Sequence, residues 1–421
     1  MNNTTDIIYF TLFPWDNAYS SVSLSLTREF AKANRVFYIN HPYSVKDFLH
    51  QRSNPMVQAR RKHLLTGSMQ YETIPGLDPE KVIAVHPPLV LPINFLSDGF
   101  AYRSLQKLNE KIVLDTIWKV IQDYKLKNFI YLNCFNPYFA GVLPPSFGAK
   151  MSIYQCIDDM TQEPYTARHG ARLEEKVIEK ADVALVTSRN LFKLKSPLNP
   201  NTHILHNAVD MDIFKNAMGV KLPRPKELEG INKPVIGFTG NLNSVRIDYP
   251  LLRKIAEAHP DKTLLLIGPL NSNDYKEHGL DQLPNVILTG GKDIKDLPQY
   301  LQHMDCAIIP FLKNQLTASI YPLKINEYLA AGKPVIATNF SEDIQSFRPS
   351  VYLAEDHEQF NKLIDRAMAE DSADLSRQRL KVAQSNTWEA RVNQFWDIVD
   401  QQLGKPVHLH PRSTRESEPI G

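Results

Sequence analysis

The sequence predicts an α/β protein made of two Rossmann-like domains of parallel sheet that face each other across a cleft. Three observations carry this expectation. Short apolar runs rich in β-branched and aromatic residues alternate with longer segments of helical period, as parallel strands alternate with crossover helices. The alternation lapses at residue 207 and restarts at Pro234. The chain's 421 residues are also too many for one ordinary domain of roughly 150–200.

In the first half, apolar runs of strand length place strands at residues 7–13, 35–39, 81–85, 128–132, 151–157 and 183–187. Helical period places helices between them at 20–33, 102–124 and 172–180. After Pro234 strands are expected at 235–239, 263–267, 286–289, 306–310, 334–337 and 351–353, with helices at 250–258, 296–303, 322–331, 358–369 and 387–402. Residues 207–233, with Pro223, Pro225, Gly230 and little periodicity, read as a linker. The expected domains are therefore 1–206 and 234–386. Residues 387–403 should form a C-terminal helix, and the proline-bearing tail 404–421 should be disordered.

Composition excludes several function classes. Lys and Arg number 48 against 46 Asp and Glu, a net charge of +2, so no basic field exists to hold nucleic acid. Three scattered cysteines and 13 histidines without ligand spacing support neither a disulfide framework nor a metal site. The N-terminus lacks a basic region leading into an apolar stretch, and nowhere do 18 apolar residues run together, so a cytoplasmic protein is expected. Peripheral contact with the inner face of a membrane stays compatible with this. Arg60-Arg61-Lys62-His63 beside Leu64-Leu65 is either such a patch or a solvated helix face.

The most informative stretch is residues 319–338. Pro322 suits a first helical turn, Gly332 the left-handed position after a helix, and Pro334 cannot continue it. Ile325, Tyr328 and Leu329 form an apolar stripe, while Lys324 and Glu327 share another face near the N-terminal end. There the free N–H groups and Lys324 would favour an anion, and Glu327 could accept hydrogen bonds from a ribose diol; spacing alone favours an exposed ion pair instead.

The run Pro322, Lys324, Glu327, Tyr328, Ala330, Gly332, Lys333, Pro334, Val335 resembles the nucleotide-sugar motif P-x-K-x-x-E-Y-x-A-x-G-K-P-V of GT-B glycosyltransferases of the family-4 and family-1 type. The resemblance implies the GT-B fold, with 1–206 on the acceptor side of the cleft, 234–386 on the donor side and the 387–403 helix packing back across both domains, a nucleotide-diphospho-sugar as substrate with no cofactor, Glu327 on the donor ribose, and Lys324 near the diphosphate. Val235 to Asp248 resembles the strand and glycine loop opening the donor domain of that family. Gly240 would let the backbone approach a phosphate, and Arg246 would neutralise it. An arginine that many members carry directly after the glycine is Asn241 here. The loop after Gly290 would contact the base. Many retaining members carry a second glutamate eight residues before the ribose-binding one. Here that place is Ser319, leaving the polar loop with Asn314 and Thr317 as further donor-binding candidates and the stereochemical outcome open.

The first half resembles a narrower group, bacterial transferases of surface-polysaccharide or teichuronic-acid type, in segments around Trp15-Asp16, Asn133 to Pro137, Tyr154 to Asp159, Thr187-Ser188 and His206 to Asp210. That implies a saccharide or lipid-linked acceptor. Asp16, Asp158 and Asp159 follow expected strands, whose carboxyl ends face the ligand crevice, so each is a candidate catalytic base. Helix capping with Ser20 and Ser21, or a turn, explains them as well. A nucleotide-sugar epimerase and a catalytically degenerate binding or assembly partner are the rival readings. Oligomeric state is not legible.

Overall fold

The computed structural model describes residues 5–16 and 21–404, so all of the tail expected to be disordered except Gly404 lies outside the described residues. The first domain is an eight-stranded sheet: β1 Asp6–Thr11, β2 Val36–Ile39, β3 Gln70–Glu72, β4 Val82–His86, β5 Phe129–Cys134, β6 Met151–Cys156, β7 Val183–Val186 and β8 Thr202–Ile204. Their order is β3-β4-β2-β1-β5-β6-β7-β8, parallel except for β3, which runs antiparallel to β4. The second is a six-stranded parallel sheet of β9 Val235–Thr239, β10 Thr263–Ile267, β11 Val286–Leu288, β12 Cys306–Ile309, β13 Val335–Thr338 and β14 Val351–Ala354, ordered β11-β10-β9-β12-β13-β14.

The central strands are buried along almost their whole length because helices cover both sheet faces, which is why they read as continuous apolar runs. Strands β3 and β8 escaped the sequence reading because each has three residues and is partly exposed. In each sheet the first strand of the domain sits centrally, with β1 between β2 and β5 and β9 between β10 and β12. Chain connections leave that strand in opposite directions, and ligands of such sheets bind in the crevice at that switch point.

Two longer helices were also not expected, Pro55–Thr66 and Ala373–Gln384. Both turn an arginine inward. Arg60 is fully buried beside Val57 and Leu64, and Arg379 is buried beside Ala383, its Nη1 donating to the Gly332 carbonyl at 3.0 Å. With a charge on the core-facing stripe, the apolar period that betrays a helix is broken. This also corrects the reading of the 60–63 cluster as a surface patch, since Arg60 belongs to the interior.

Residues 207–233 are not a bare linker. They contain helices Met211–Phe214 and Asn216–Gly219, and Val209, Phe214, Ala217 and Leu228 join the core of the second domain. The chain returns beside its outward path, where the Val209 N–H donates to the Asn386 carbonyl at 2.9 Å. Helix Trp388–Gln402 then packs on the first domain, with Phe395 edge-on to Phe30 at 4.9 Å. Across the interface the Asn190 side chain donates to Ser319 Oγ at 2.9 Å, the Arg189 N–H to Asp343 at 2.9 Å, and His206 stacks on Tyr321 at 4.3 Å.

Candidate active site in the cleft

On the second domain the carboxyl ends of β9, β10 and β11 are drawn together by glycine. The Gly240 N–H donates to the Ile267 carbonyl at 2.7 Å, and the Gly268 N–H to the Gly290 carbonyl at 3.1 Å. A Cβ on Gly268 would lie 1.8 Å from the Gly240 carbonyl oxygen. One on Gly240, whose φ is +146°, would lie 2.0 Å from Lys324 Cε. The Gly240 backbone excludes a larger residue at 268, and the positive φ together with the Lys324 stem across the turn excludes one at 240.

Helix Leu323–Ala330 meets this edge with its N-terminus, which has no side-chain cap. Ile325, Tyr328 and Leu329 are fully buried, and the Tyr328 hydroxyl accepts from the Thr239 N–H at 2.8 Å, pinning the helix to the end of β9. Gly332, at φ +69°, closes the other end as the sequence implied. Glu327 is therefore carried into the interior, 5% exposed, where its carboxylate accepts no hydrogen bond from any described residue. Burial raises its pKa above the usual carboxylate range, with Lys324 working against the shift. Lys324 itself is half-buried and has no ion-pair partner among the described residues. A carboxylate this deep without a donor is costly, so Glu327 keeps hydrogen-bonding capacity that no described side chain meets.

Arg246 sits on the loop after β9, and its Nη2 donates to Asp158 Oδ2 at 2.8 Å. Asp158 follows β6 of the opposite domain, so this pair spans the cleft. Burial raises the Asp158 pKa, and Arg246 opposes it. The neighbouring Asp159 is spent on its own turn. Its Oδ1 accepts from the Thr161 N–H at 3.1 Å and hydroxyl at 2.6 Å, while its buried Oδ2 has no partner.

The remaining candidates are engaged. Asp16 Oδ2 lies 2.7 Å from Arg60 Nη1, and Arg60 also forms two 2.8 Å bonds to Glu72. His86 Nε2 is 3.0 Å from the same Glu72 carboxylate. Burial pushes Glu72 up, but His86 and Arg60 outweigh it and hold Glu72 down to about 2. Asp16 thus neutralises a buried arginine and is poorly placed to leave it for a substrate proton. Asn314 and Thr317 form a reciprocal cap on helix Gln315–Ala318, and Asn314 Nδ2 donates to the Val245 carbonyl at 3.0 Å. Their polar atoms shape the loop beside the donor edge. Ser319 is fully buried and meets Asn190 across the interface. Sequence reasoning missed Asn190, Arg189 and Tyr328 as positioning residues, since a capped helix and a buried tyrosine carry no local signal of the domain opposite. Among the described residues, no three His, Cys, Asp or Glu side chains could hold a metal ion together.

Residues 233–370 match the family model described as Glycosyl transferases group 1. A putative teichuronic acid biosynthesis glycosyltransferase, TuaH, of Bacillus subtilis (strain 168) is 29% identical over 215 residues, which are 48% of this chain and 53% of that one. The match spans about half the length of the curated relative. Solved structures align over nearly the whole chain. Sucrose-phosphate synthase from Thermosynechococcus elongatus has a TM-score of 0.64 at 15% identity, covering 95% of this chain and 99% of that one. A UDP-forming α,α-trehalose-phosphate synthase from Burkholderia xenovorans, in complex with glucose-6-phosphate, has 0.67 at 10% identity, covering 94% and 100%. At such identities the likeness is one of fold, and the fold is the GT-B arrangement of two facing parallel-sheet domains.

Proposed function

From residues 233–370 being a group 1 glycosyl transferase domain set in a GT-B frame, we propose that this chain transfers a sugar from a nucleotide-diphosphate donor to a saccharide or lipid-linked acceptor in cell-surface polysaccharide synthesis. The observation that carries this reading is Glu327, a buried carboxylate with no hydrogen-bond donor among the described residues, beside Lys324, which has no ion-pair partner among them, at a glycine-built strand edge. A ribose diol supplies the two donors Glu327 lacks. Lys324 and the uncapped helix N-terminus would then hold the diphosphate, whose charge grows as the bond from the sugar's anomeric carbon to phosphate oxygen breaks.

Arg246 adds the second cation once it exchanges Asp158 for phosphate. That exchange leaves the Asp158 carboxylate at the cleft, where it can accept the proton of the attacking acceptor hydroxyl as the new glycosidic bond forms. Of the three candidate aspartates, Asp158 is the one joined to the donor loop. The reaction is proposed to run on the cytoplasmic side, with peripheral membrane contact. No described helix is long and apolar enough to cross a membrane.

Titration calorimetry with UDP, GDP, dTDP and CMP tests the donor site. Lys324→Ala and Glu327→Ala should each weaken the preferred nucleotide by roughly tenfold or more, the scale of about 1.5–3 kcal/mol for a charged hydrogen bond. Unchanged affinity for every nucleotide in both variants removes the reading.

A further inference from the structure

Helix Val45–His50 of the first domain buries none of its six residues. A helix so short does not hold itself together in water, and its stability has to come from what packs against it. Between it and helix Pro55–Thr66 lies a hollow of about 410 Å³, floored by Phe48, Leu49 and Val57 and flanked by Arg52 and Arg61. None of the candidate site residues lines it.

The second helix of the pair is firmly mounted. Val57, Arg60 and Leu64 face inward, and Arg60 is bound to Glu72 and Asp16, so the outer face is presented in a fixed attitude. That outer face mixes two kinds of side chain. Lys46, Arg52, Arg61 and Lys62 are exposed and have no ion-pair partner among the described residues. Asp47, the only acid from 45 to 66, is already used, its Oδ2 accepting from the Ser44 N–H at 3.0 Å and hydroxyl at 2.6 Å. A chain of net charge +2 therefore sets four unpaired cations on one pair of helices. Among them Leu49 and Leu65 are 58% and 61% exposed. Lys46 also borders an opening shared with Phe95 and Tyr165, 68% and 69% exposed, so aromatic rings stand at solvent on the same side.

Cations interleaved with exposed leucines fit a partner that offers anions and hydrocarbon together, as a bilayer of acidic phospholipid does. Aromatic rings beside them suit the headgroup level. An acidic protein segment would meet the cations and leave the leucines against polar groups. We propose that the helix pair 45–66 docks on an anionic phospholipid bilayer, Leu49 and Leu65 entering the acyl boundary while Arg52 and Arg61 hold lipid phosphate beside the hollow. This gives a place to the membrane contact that the glycosyl-transfer reading includes, and it is measured with neither donor nor acceptor.

Co-sedimentation with vesicles of phosphatidylcholine alone, and of phosphatidylcholine mixed equally with phosphatidylglycerol, reads the contact directly. The mixed vesicles should bind at least about tenfold more tightly than the neutral ones. Arg52→Gln with Arg61→Gln should weaken binding to mixed vesicles by about tenfold or more, the scale of two basic side chains near an acidic surface. Leu49→Ser with Leu65→Ser should cost about tenfold as well, through lost apolar burial. All four side chains are exposed, so the fold is not at stake. The same loss of charge on the second domain, Lys254→Gln with Lys295→Gln, should change binding by no more than about twofold, because charges far from the contact are screened.

Equal binding to both vesicles, an arginine effect no larger than the second-domain control, or indifference to the leucines would each overturn the proposal. So would displacement by inorganic phosphate at matched ionic strength, which marks a free-phosphate site, or polyglutamate binding as tight as that of the mixed vesicles, which marks an acidic protein partner. Nucleotide affinity on the same samples keeps the two readings apart. A protein that binds nucleotide but no vesicle retains the donor site and loses this inference, and one that binds vesicles but no nucleotide keeps the surface and loses glycosyl transfer.

Discussion

Across the cleft, two sets of buried charges are treated in opposite ways. On the first domain Arg60 and His86 are buried against the partly buried carboxylates of Asp16 and Glu72, and every one is paired. On the second, Glu327 is deeply buried and its carboxylate has no hydrogen bond among the described residues, and Lys324 beside it has no ion pair among them. Both sets gather beside carboxyl ends of parallel strands, Asp16 following β1 and His86 ending β4 in one, and the Lys324 helix pinned to the end of β9 in the other, so position alone does not tell them apart. Satisfaction does. A closed network stabilises the fold and offers nothing to a ligand, whereas an unsatisfied carboxylate costs stability until a ligand completes it.

The largest effect expected from breaking this contrast is on the closed side. Arg60→Met leaves Asp16 and Glu72 facing each other without a cation, and removing one partner of a buried ion pair costs about 3–5 kcal/mol. Urea unfolding should show that loss as a lower midpoint, while the folded fraction keeps its nucleotide affinity. A midpoint within error of the unsubstituted protein would mean that the network contributes nothing to holding the first domain.

The open side should respond with the opposite sign. Burial raises the pKa of Glu327 above its unfolded value, so the folded state binds that proton more tightly than the unfolded chain does. Its contribution to stability is fully present below the unfolded pKa and is lost as pH rises through the raised folded pKa. At neutral pH the charge therefore burdens the unliganded fold. Glu327→Gln should raise the neutral-pH stability by about 1 kcal/mol, have little effect at pH 4, and weaken nucleotide binding. Melting curves at the two pH values check the sign. A variant less stable at neutral pH than the parent would show that the carboxylate has a partner after all.

The same contrast explains what the sequence could and could not reveal. Elements that bury a purely apolar stripe, such as helix Leu323–Ala330 or strands β9 and β10, carry their period openly and were placed to within a residue or two. Helices Pro55–Thr66 and Ala373–Gln384 bury arginine on the inner face, and their signal is erased by the feature that anchors them. The geometry of the glycine edge was legible because its demands are local: glycine where a backbone approaches a lysine stem, then a lysine and a glutamate three apart on one helix. The first domain's aspartates were not, because their roles depend on residues 44 and 88 positions away, Arg60 for Asp16 and Arg246 for Asp158. No reading of Asp16 as a base could foresee a buried arginine on a helix that the pattern did not announce.

The smallest effect belongs to the pair that joins the two sides. Arg246 and Asp158 are 39% and 26% exposed, so water screens their attraction, and a pair of this kind is worth about 0.2–1 kcal/mol. Donor binding must break it before Arg246 can reach phosphate. Asp158→Asn should therefore tighten nucleoside diphosphate binding, by up to about fivefold on that energy scale. It should lower turnover with acceptor far more, because the same substitution removes the proposed proton acceptor. The two readouts move in opposite directions, and a purely structural role for Asp158 would move both downward. Unchanged turnover beside tighter binding would keep Asp158 as a counter-ion of the empty site and strip it of any part in the chemistry.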